Sequence, residues 1–532
     1  MDEEDNIQLV QVQAQAQGIR RRLAKLFGVP WEMMIRWYYT AAAAASPLST
    51  TKIDVVSAST VSFILVFLFF LFVVAFHWKD MSLFTGISFQ GTTSSSIKIS
   101  VDYPKKDEHE LTCPTTNMTL TCPANYPATN NDSWSPRSCP DYFGWILEDL
   151  KPWKKKGITK ELVEELEKYA HFRLVVINGT AYVKQYDKAF QTRDVFTLWG
   201  VLQLLRLYPG RLPDIDLMFQ CHDRPSIEKH KYQGKKEAEA PPLFHYCGSD
   251  STFDIVFPDW SFWGWPEVNV KPWVPLMKDI EEENVRGNWT NKEPYAFWKG
   301  NLYTGARQKL GKCNSINDWN AAIHGQDWGS EIANGFKNSD LSKQCNYRYK
   351  IYMEGNAWSV SEKYILACDS MTLLVNPEFY DFFSRSLVPM THYWPINEKD
   401  ICPSIKYAVE WGNRHQDKAQ EISKAGSTYI KEEITMDNVY DYMFHVLDQY
   451  GRLLRYKPTV PPDAVELCSE TWGCSPMGLE TSNKIQTMVK GRAQGDPCTM
   501  PPPYGKRKLQ DLLEKNAKIK KEVKRRERKG KQ

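Results

Sequence analysis

Residues 348–377, RYKIYMEGNAWSVSEKYILACDSMTLLVNP, constrain the fold more than any other stretch of the chain. Tyr349, Ile351 and Met353 alternate with more polar neighbours, the period of a half-buried strand. The EGNAW segment that follows reads as a turn, with Gly355 free to take a positive φ. Ser359 and Glu362 then match the S-x-x-E capping box that opens a helix. Val360, Tyr364, Ala367 and Cys368 fall on one face of that helix. A second apolar run, residues 371–375, ends at Asn376-Pro377. Strand, tight loop, helix and strand make a βαβ unit. The helix start leaves N–H groups exposed beside the end of the first strand, a natural place for an anion. An ordinary α/β crossover without a ligand has the same pattern, so the rest of the chain decides.

Residues 55–76, VVSASTVSFILVFLFFLFVVAF, form a 22-residue run without a formal charge, long enough to cross a bilayer as a helix. The run starts too far from the N-terminus, and is too long, for a cleaved signal peptide. Arg20, Arg21, Arg22, Lys25, Arg36 and Lys52 precede it, whereas only Lys79 and Lys98 follow within a comparable distance. The positive-inside rule therefore predicts a cytosolic N-terminus. All 12 cysteines lie after this run, as do the acceptor sequons at Asn117, Asn131, Asn178 and Asn288. Both features fit an oxidising, lumenal environment for the remainder of the chain. No CxxC…CxxC or HExxH metal signature is present. A net charge of +3 on 532 residues argues against a nucleic-acid partner.

The organisation expected from this reading is a cytosolic tail over 1–54, a transmembrane helix over 55–76 and a Ser/Thr/Pro/Asn-rich stem over 77–138. Two α/β segments follow, over 139–290 and 291–475, and then an extension with a basic tail over 476–532. In the first segment, helices are expected at residues 159–170 and 195–208, a hairpin around Asn178-Gly179, and strands at 212–221 and 253–257. In the second, a strand at 296–301 precedes the βαβ unit, and a helix near 439–454 closes the segment. Alternating strands and helices favour two α/β lobes over a sandwich or a bundle. Between residues 506 and 532 there are 13 Lys/Arg against 4 Asp/Glu, which reads as a solvated, partly helical tail.

Several residues have the chemistry of a site. Asp223, in FQCHDRP, lies where a strand of the first segment ends in a loop, and ligands of open α/β sheets collect at that end; by sequence chemistry alone a turn-starting or helix-capping Asp before a proline is the commoner reading. Asp214 and Asp216 form a D-x-D, but at a strand entrance rather than the usual exit, where two solvated carboxylates on a strand edge are commoner than a metal site. Trp260, Trp263, Trp265 and Trp273 crowd PDWSFWGWPEVNVKPW. Their indoles suit either stacking on sugar rings or packing. Lys299-Gly300-Asn301 follows a strand, with Arg307 six residues on, and such an exit can hold a diphosphate.

The motifs CPDYFGWILEDLKPW, FQTRDVFTLWGVLQLLRLYPG, LMFQCHDRP, PDWSFWGWPEVNVKPW, FWKGN and YKIYMEGNAWSVSEKYILACDS occur in that order. Together they resemble glycosyltransferase family 90, the family of Rumi-like protein O-glucosyltransferases and capsule-associated xylosyltransferases, and most of all its plant members. The resemblance covers roughly residues 139–475. It implies a GT-B fold, two Rossmann-like lobes facing a cleft, here preceded by a single transmembrane helix. It also implies inverting, metal-independent transfer from a UDP-sugar, such as UDP-glucose or UDP-xylose, to a hydroxyl of a protein or polysaccharide, with no further cofactor. The family's catalytic base falls on Asp223. Its donor-binding residues fall on Lys299, Gly300, Asn301, Arg307, Glu354, Gly355, Trp358, Ser359 and Lys363, while Trp260, Trp263 and Trp265 are available to stack on sugar. The chain departs from the animal pattern at Leu302 and Ser361, where arginines stand in those members. These departures keep open an inactive glycan-binding or scaffold protein as the alternative. The type II anchor and an ending without a KDEL-type signal point to the Golgi membrane, with the ER membrane second.

Overall fold

The computed structural model describes residues 137–473 and 478–530. The expected cytosolic tail, transmembrane helix and stem, with Asn117 and Asn131, lie outside the described residues. No described helix is long and apolar enough to cross a membrane.

Two sheets carry the described chain. The first comprises β1 (Phe172–Ile177), β2 (Thr180–Gln185), β3 (Ile215–Phe219), β4 (Leu243–His245) and β6 (Ile255–Val256). β1 and β2 form the expected hairpin, turned by Asn178 and Gly179 at φ 50° and 77°. A two-residue turn with both φ positive matches the strand twist, which is why Asn-Gly stands there. Asn178 and Asn288 are both exposed, as a glycan acceptor must be. Only β3, β4 and β6 run parallel; β1 and β2 are antiparallel, so this half is mixed. The D-x-D is structural. Asp216 is buried in a two-pronged pair with Arg173, both bonds 2.7 Å, and Asp214 accepts the Asn178 N–H at 2.8 Å.

A two-residue strand, β5 (Gly248–Ser249), leaves the first sheet and is met again below. The second sheet comprises β7 (Glu293–Gly300), β8 (Ala321–Gly325), β9 (Tyr347–Tyr352), β10 (Met371–Val375) and β12 (Trp394–Ile396). All its pairings are parallel. Its spatial order β12-β10-β9-β7-β8 is, within the sheet, the doubly wound 2-1-3-4-5 arrangement. The strand order therefore reverses between β7 and β9, and a crevice opens at their C-terminal ends. β11 (Phe379–Tyr380) follows β10 and pairs antiparallel with β5, stitching the two halves together beside that crevice.

The helix expected to close the second segment packs elsewhere. Met436–Gly451, capped by Thr435, buries Val439, Met443, Val446, Leu447 and Tyr450 in the apolar cluster of the first sheet. Tyr450 donates its hydroxyl to the Asp216 carbonyl, and β13 (Val465–Leu467) joins the edge of that sheet against β2. The chain thus returns to its first half after residue 435. Helical periodicity showed an apolar face but not what it would cover. The basic C-terminal stretch, expected to be partly helical, is a helix, Lys506–Gly530. It docks through Val523, in the second apolar cluster, and through Glu527, which accepts the Ser404 hydroxyl at 2.7 Å.

Three disulfides brace the described residues. Cys139–Cys498 ties the start of the described chain to its C-terminal part, Cys313–Cys402 lies within the second half, and Cys345–Cys368 spans the unit from the start of β9 to the helix Ser361–Ala367. Cys221 and Cys247 are unbridged and buried at the ends of β3 and β4.

Candidate active site

β3 ends at Phe219, and four residues on the chain presents Asp223, whose side chain is 27% exposed. Its Oδ1 accepts a bond from Arg193 Nη1 at 2.9 Å. Arg193 opens the helix Arg193–Leu207, is itself buried, and donates from the same nitrogen to the Cys221 carbonyl at 2.9 Å. Its guanidinium lies 4.6 Å over the Trp260 ring and 5.2 Å over Phe190. The Cys247 thiol donates to the Asp223 carbonyl at 3.3 Å and receives the Trp358 backbone N–H. Downstream, the Asp254 carboxylate accepts the N–H groups of Ser226 and Ile227, both at 2.9 Å, and burial pushes its pKa up to about 6. The Asp223 loop is therefore held at the side chain, at its carbonyl and three residues further on.

The crevice of the second sheet lies opposite. Arg307 spans it, donating from Nε to the Glu354 carbonyl at 3.0 Å and from Nη2 to the Met353 carbonyl at 3.1 Å. Nη1 reaches the Asn301 carbonyl at 3.5 Å, so one guanidinium joins the chain leaving β7 to the chain leaving β9. A Cβ on Gly355 would come within 3.3 Å of that guanidinium, so glycine lets the loop lie close to it. The Glu354 carboxylate accepts the N–H groups of Glu378 and Phe379 at 3.0 and 2.7 Å, and burial pushes its pKa up to about 7.

Asp223 and the Glu354–Trp358 loop meet. Arg224 Nε donates to the Asn356 carbonyl at 2.9 Å. The Trp358 indole crosses into the first half, its ring 5.7 Å from Tyr246, 6.2 Å from Trp260 and 6.3 Å from His245. His245 is fully buried and accepts the Cys247 N–H at Nδ1; burial pushes its pKa down to about 3, and its Nε2 has no partner.

The structure reassigns other residues. Lys299 turns away from the crevice, donating to Glu331 Oε1 and the Asn338 carbonyl, both at 2.7 Å. Gly300 closes β7 against the Trp298 ring, and Asn301 Oδ1 accepts the Tyr303 N–H at 2.9 Å, shaping the turn. Lys363 is buried and paired with Asp259 at 2.7 Å, so its ammonium is internal. Burial by itself would lower its pKa, but Asp259, Tyr364 and Asp381 together raise it. The capping box at Ser359 does not form: the helix begins at Ser361 with no side-chain cap. The Ser359 N–H goes instead to the Tyr352 hydroxyl at 3.1 Å and its Oγ meets Ser361 Oγ at 2.9 Å, while Glu362 is buried beside Tyr352. Of the three tryptophans, Trp263 is core, bonded to Tyr440 and filling the space a Cβ on Gly200 would occupy. Trp260 is the buried floor beneath Arg193; Trp265 is half-buried, edge-on to Trp260 at 5.1 Å. The cations at the crevice are thus Arg224 and Arg307. Arg193 and His245 were missed because each is placed by contacts between distant parts of the chain, though Arg193 stands in the quoted motif FQTRDVF.

A doubly wound parallel sheet with its crevice at the point of order reversal, beside a held carboxylate from a second sheet, fits a Rossmann-like α/β enzyme. The family model described as Glycosyl transferase family 90 matches residues 134–527, three quarters of the chain, and extends through the basic C-terminal helix. The chain belongs to glycosyl transferase family 90. It is similar to an O-glucosyltransferase rumi homolog of Anopheles gambiae, 28% identical over 353 residues, covering 64% of this chain and 84% of that protein. Protein O-glucosyltransferase 1 of Homo sapiens is 25% identical over 344 residues (62% and 84%). O-glucosyltransferase rumi of Drosophila melanogaster is 24% identical over 337 residues (60% and 78%).

Proposed function

We propose that this glycosyltransferase moves glucose or xylose from a UDP-sugar to a hydroxyl of a protein or polysaccharide, with inversion, without a metal, and on a GT-B arrangement of its two halves. Asp223 takes the proton from the acceptor hydroxyl as that oxygen attacks the anomeric carbon. The bond from that carbon to the diphosphate oxygen breaks, and UDP leaves toward the crevice between β7 and β9. Arg193 orients the base through Oδ1, leaving Oδ2 to face the acceptor. Arg224 and Arg307 offset the charge that develops on the departing diphosphate.

The observation that carries this reading is the meeting of two distant loops: Arg224, next to Asp223, bonds to Asn356 of the loop that leaves β9. The carboxylate of one loop and the Arg307 guanidinium beside the other are thereby brought to one crevice, as in-line displacement requires. General-base assistance is worth roughly 10²–10⁴-fold. Asp223→Asn is therefore expected to remove most transfer while leaving UDP affinity within a factor of a few; transfer near the wild-type rate would overturn the assignment.

One observation favours a second reading, an inactive glycan-binding protein: neither Lys299 nor Lys363 is available to a diphosphate. Calorimetric titration with UDP separates the two, since a scaffold has no reason to bind it. The cellular setting belongs to the same proposal: a single-pass type II protein of the Golgi membrane, with the ER membrane second. The charge asymmetry about residues 55–76, the exposed sequons and the disulfides support it. Protease protection of an epitope placed after residue 530, in intact vesicles, tests it.

A further inference from the structure

A cavity of about 920 Å³ lies beside the β5–β11 ladder, and neither Asp223, Arg307 nor Trp358 lines it. Its walls come from the segment after β5, from β11, from the stretch around Trp145 and from one side of the C-terminal helix, where Asn516 and Ala517 face it. The cavity backs onto both halves of the candidate active site. Asp254, in its wall, holds the Asp223 loop at Ser226 and Ile227, and Phe379, also in its wall, is held by Glu354. Its volume falls within the range of roughly 300–1,000 Å³ typical of ligand sites.

The lining specifies a ligand class. Aromatic rings from Trp145, Tyr232, Phe253, Phe379, Tyr380 and Tyr393 supply flat apolar faces. Among the lining residues seven carboxylate side chains stand against four lysines and arginines. Those four cations are occupied: Arg385 is bidentate to Asp149 at 2.6 and 2.7 Å, Lys151 donates to Glu148, Lys229 to the Asp250 carbonyl, and Lys520 to Asn376. A phosphate or an acidic glycan would meet surplus negative charge. Two buried polar atoms of the lining residues lack partners, Arg385 Nε, a donor, and Asn516 Oδ1, an acceptor. Buried groups of this kind call for a partner. A neutral ligand carrying hydroxyls, which both donate and accept, on rings with apolar C–H faces meets every one of these conditions.

We propose that this cavity is a second saccharide subsite, which takes a neutral oligosaccharide portion of the acceptor; the proposal rests on the transferase reading above. The test uses the full-length protein in detergent, a panel of neutral oligosaccharides of glucose, xylose, galactose and mannose, and saturation-transfer NMR without donor. Ala517→Trp fills the cavity from an exposed helix position, and Asn516→Leu removes the unpartnered acceptor. At least one oligosaccharide is expected to bind, with at least tenfold weaker binding in Ala517→Trp, about threefold weaker in Asn516→Leu, and UDP-sugar hydrolysis unchanged in both. Absence of binding across the panel at millimolar concentration, binding that Ala517→Trp leaves intact, or displacement by Ala517→Trp of a peptide acceptor alone would each overturn the subsite. Oligosaccharide binding sensitive to Ala517→Trp, in a protein that neither binds UDP nor hydrolyses UDP-sugars, upholds the subsite while removing the transferase reading.

Discussion

Arg193 Nη1 stands 2.9 Å from Asp223 Oδ1, joining residues thirty apart in the chain at the mouth of the first sheet. The buried guanidinium lies over the rings of Trp260 and Phe190, contacts that hold it in place to bond one carboxylate oxygen. Arg193→Lys keeps a charge but loses the planar fork and the stacking. Its kcat for transfer is expected to fall about ten- to a hundredfold with UDP affinity unchanged, measured by initial rates and calorimetry. An unchanged kcat would show that Asp223 needs no such orientation.

Lys363 and Asp259 are both nearly fully buried and 2.7 Å apart. Removing one partner of a buried pair strands the other charge, typically at a cost of about 3–5 kcal/mol. Lys363→Met is therefore expected to lower the denaturation midpoint clearly. A variant that folds with wild-type stability and loses UDP affinity would return Lys363 to the donor site.

The reassigned cations separate in a binding experiment. A hydrogen bond to a charged group is worth about 1.5–3 kcal/mol, so Arg224→Ala is expected to weaken UDP about tenfold, near the lower end because Arg224 is exposed. Lys299→Gln, which leaves the crevice untouched, is expected to change UDP affinity by less than twofold. The reverse order, read by calorimetry, would contradict the assignment.

Burial holds His245 neutral, with its pKa down at about 3. Between pH 3 and 6.5 the unfolded chain therefore binds the extra proton, so this contribution is present above pH 6.5 and lost as pH falls. The carboxylates of Glu354 and Asp254, raised to about 7 and 6, act in the opposite sense, since their protonated forms favour the fold at low pH. Their effect cancels in a comparison of wild type with His245→Asn. The stability difference between the two is expected to shift against wild type by about 2 kcal/mol from pH 6.5 to 5, followed by urea denaturation. A difference independent of pH would mean that His245 is not held neutral.

Much of the fold was legible locally. The βαβ unit, the Asn178-Gly179 hairpin and the long helix Arg193–Leu207 follow from period, turn chemistry and apolar faces, all signals carried within a dozen residues. The place of Asp223 in a loop after a strand was legible as well, because a strand ending in a turn is a local pattern; its reading as the base rests on the family resemblance. The failures share a cause: the Ser359 capping box, the open Lys299 and Lys363, and the sugar-facing Trp263 each required knowing which partner would compete. Tyr352 took the Ser359 N–H, Glu331 and Asp259 took the lysines, and Tyr440 took the indole.

The sequence by itself determined that this chain builds a parallel α/β sheet with a loop able to receive an anion, and that a carboxylate ends a strand elsewhere. Only the tertiary structure decided that Arg224 bonds to the loop that leaves β9, that Arg193 pairs with the Asp223 carboxylate, and that Arg307 joins the carbonyls of Asn301, Met353 and Glu354. The physical reason is range. Dihedral preference and hydrophobic period act between near neighbours, whereas a buried charge accepts whichever partner the packed chain brings within about 3 Å, and that choice here joins residues 30 positions apart at Arg193–Asp223 and 104 apart at Lys363–Asp259.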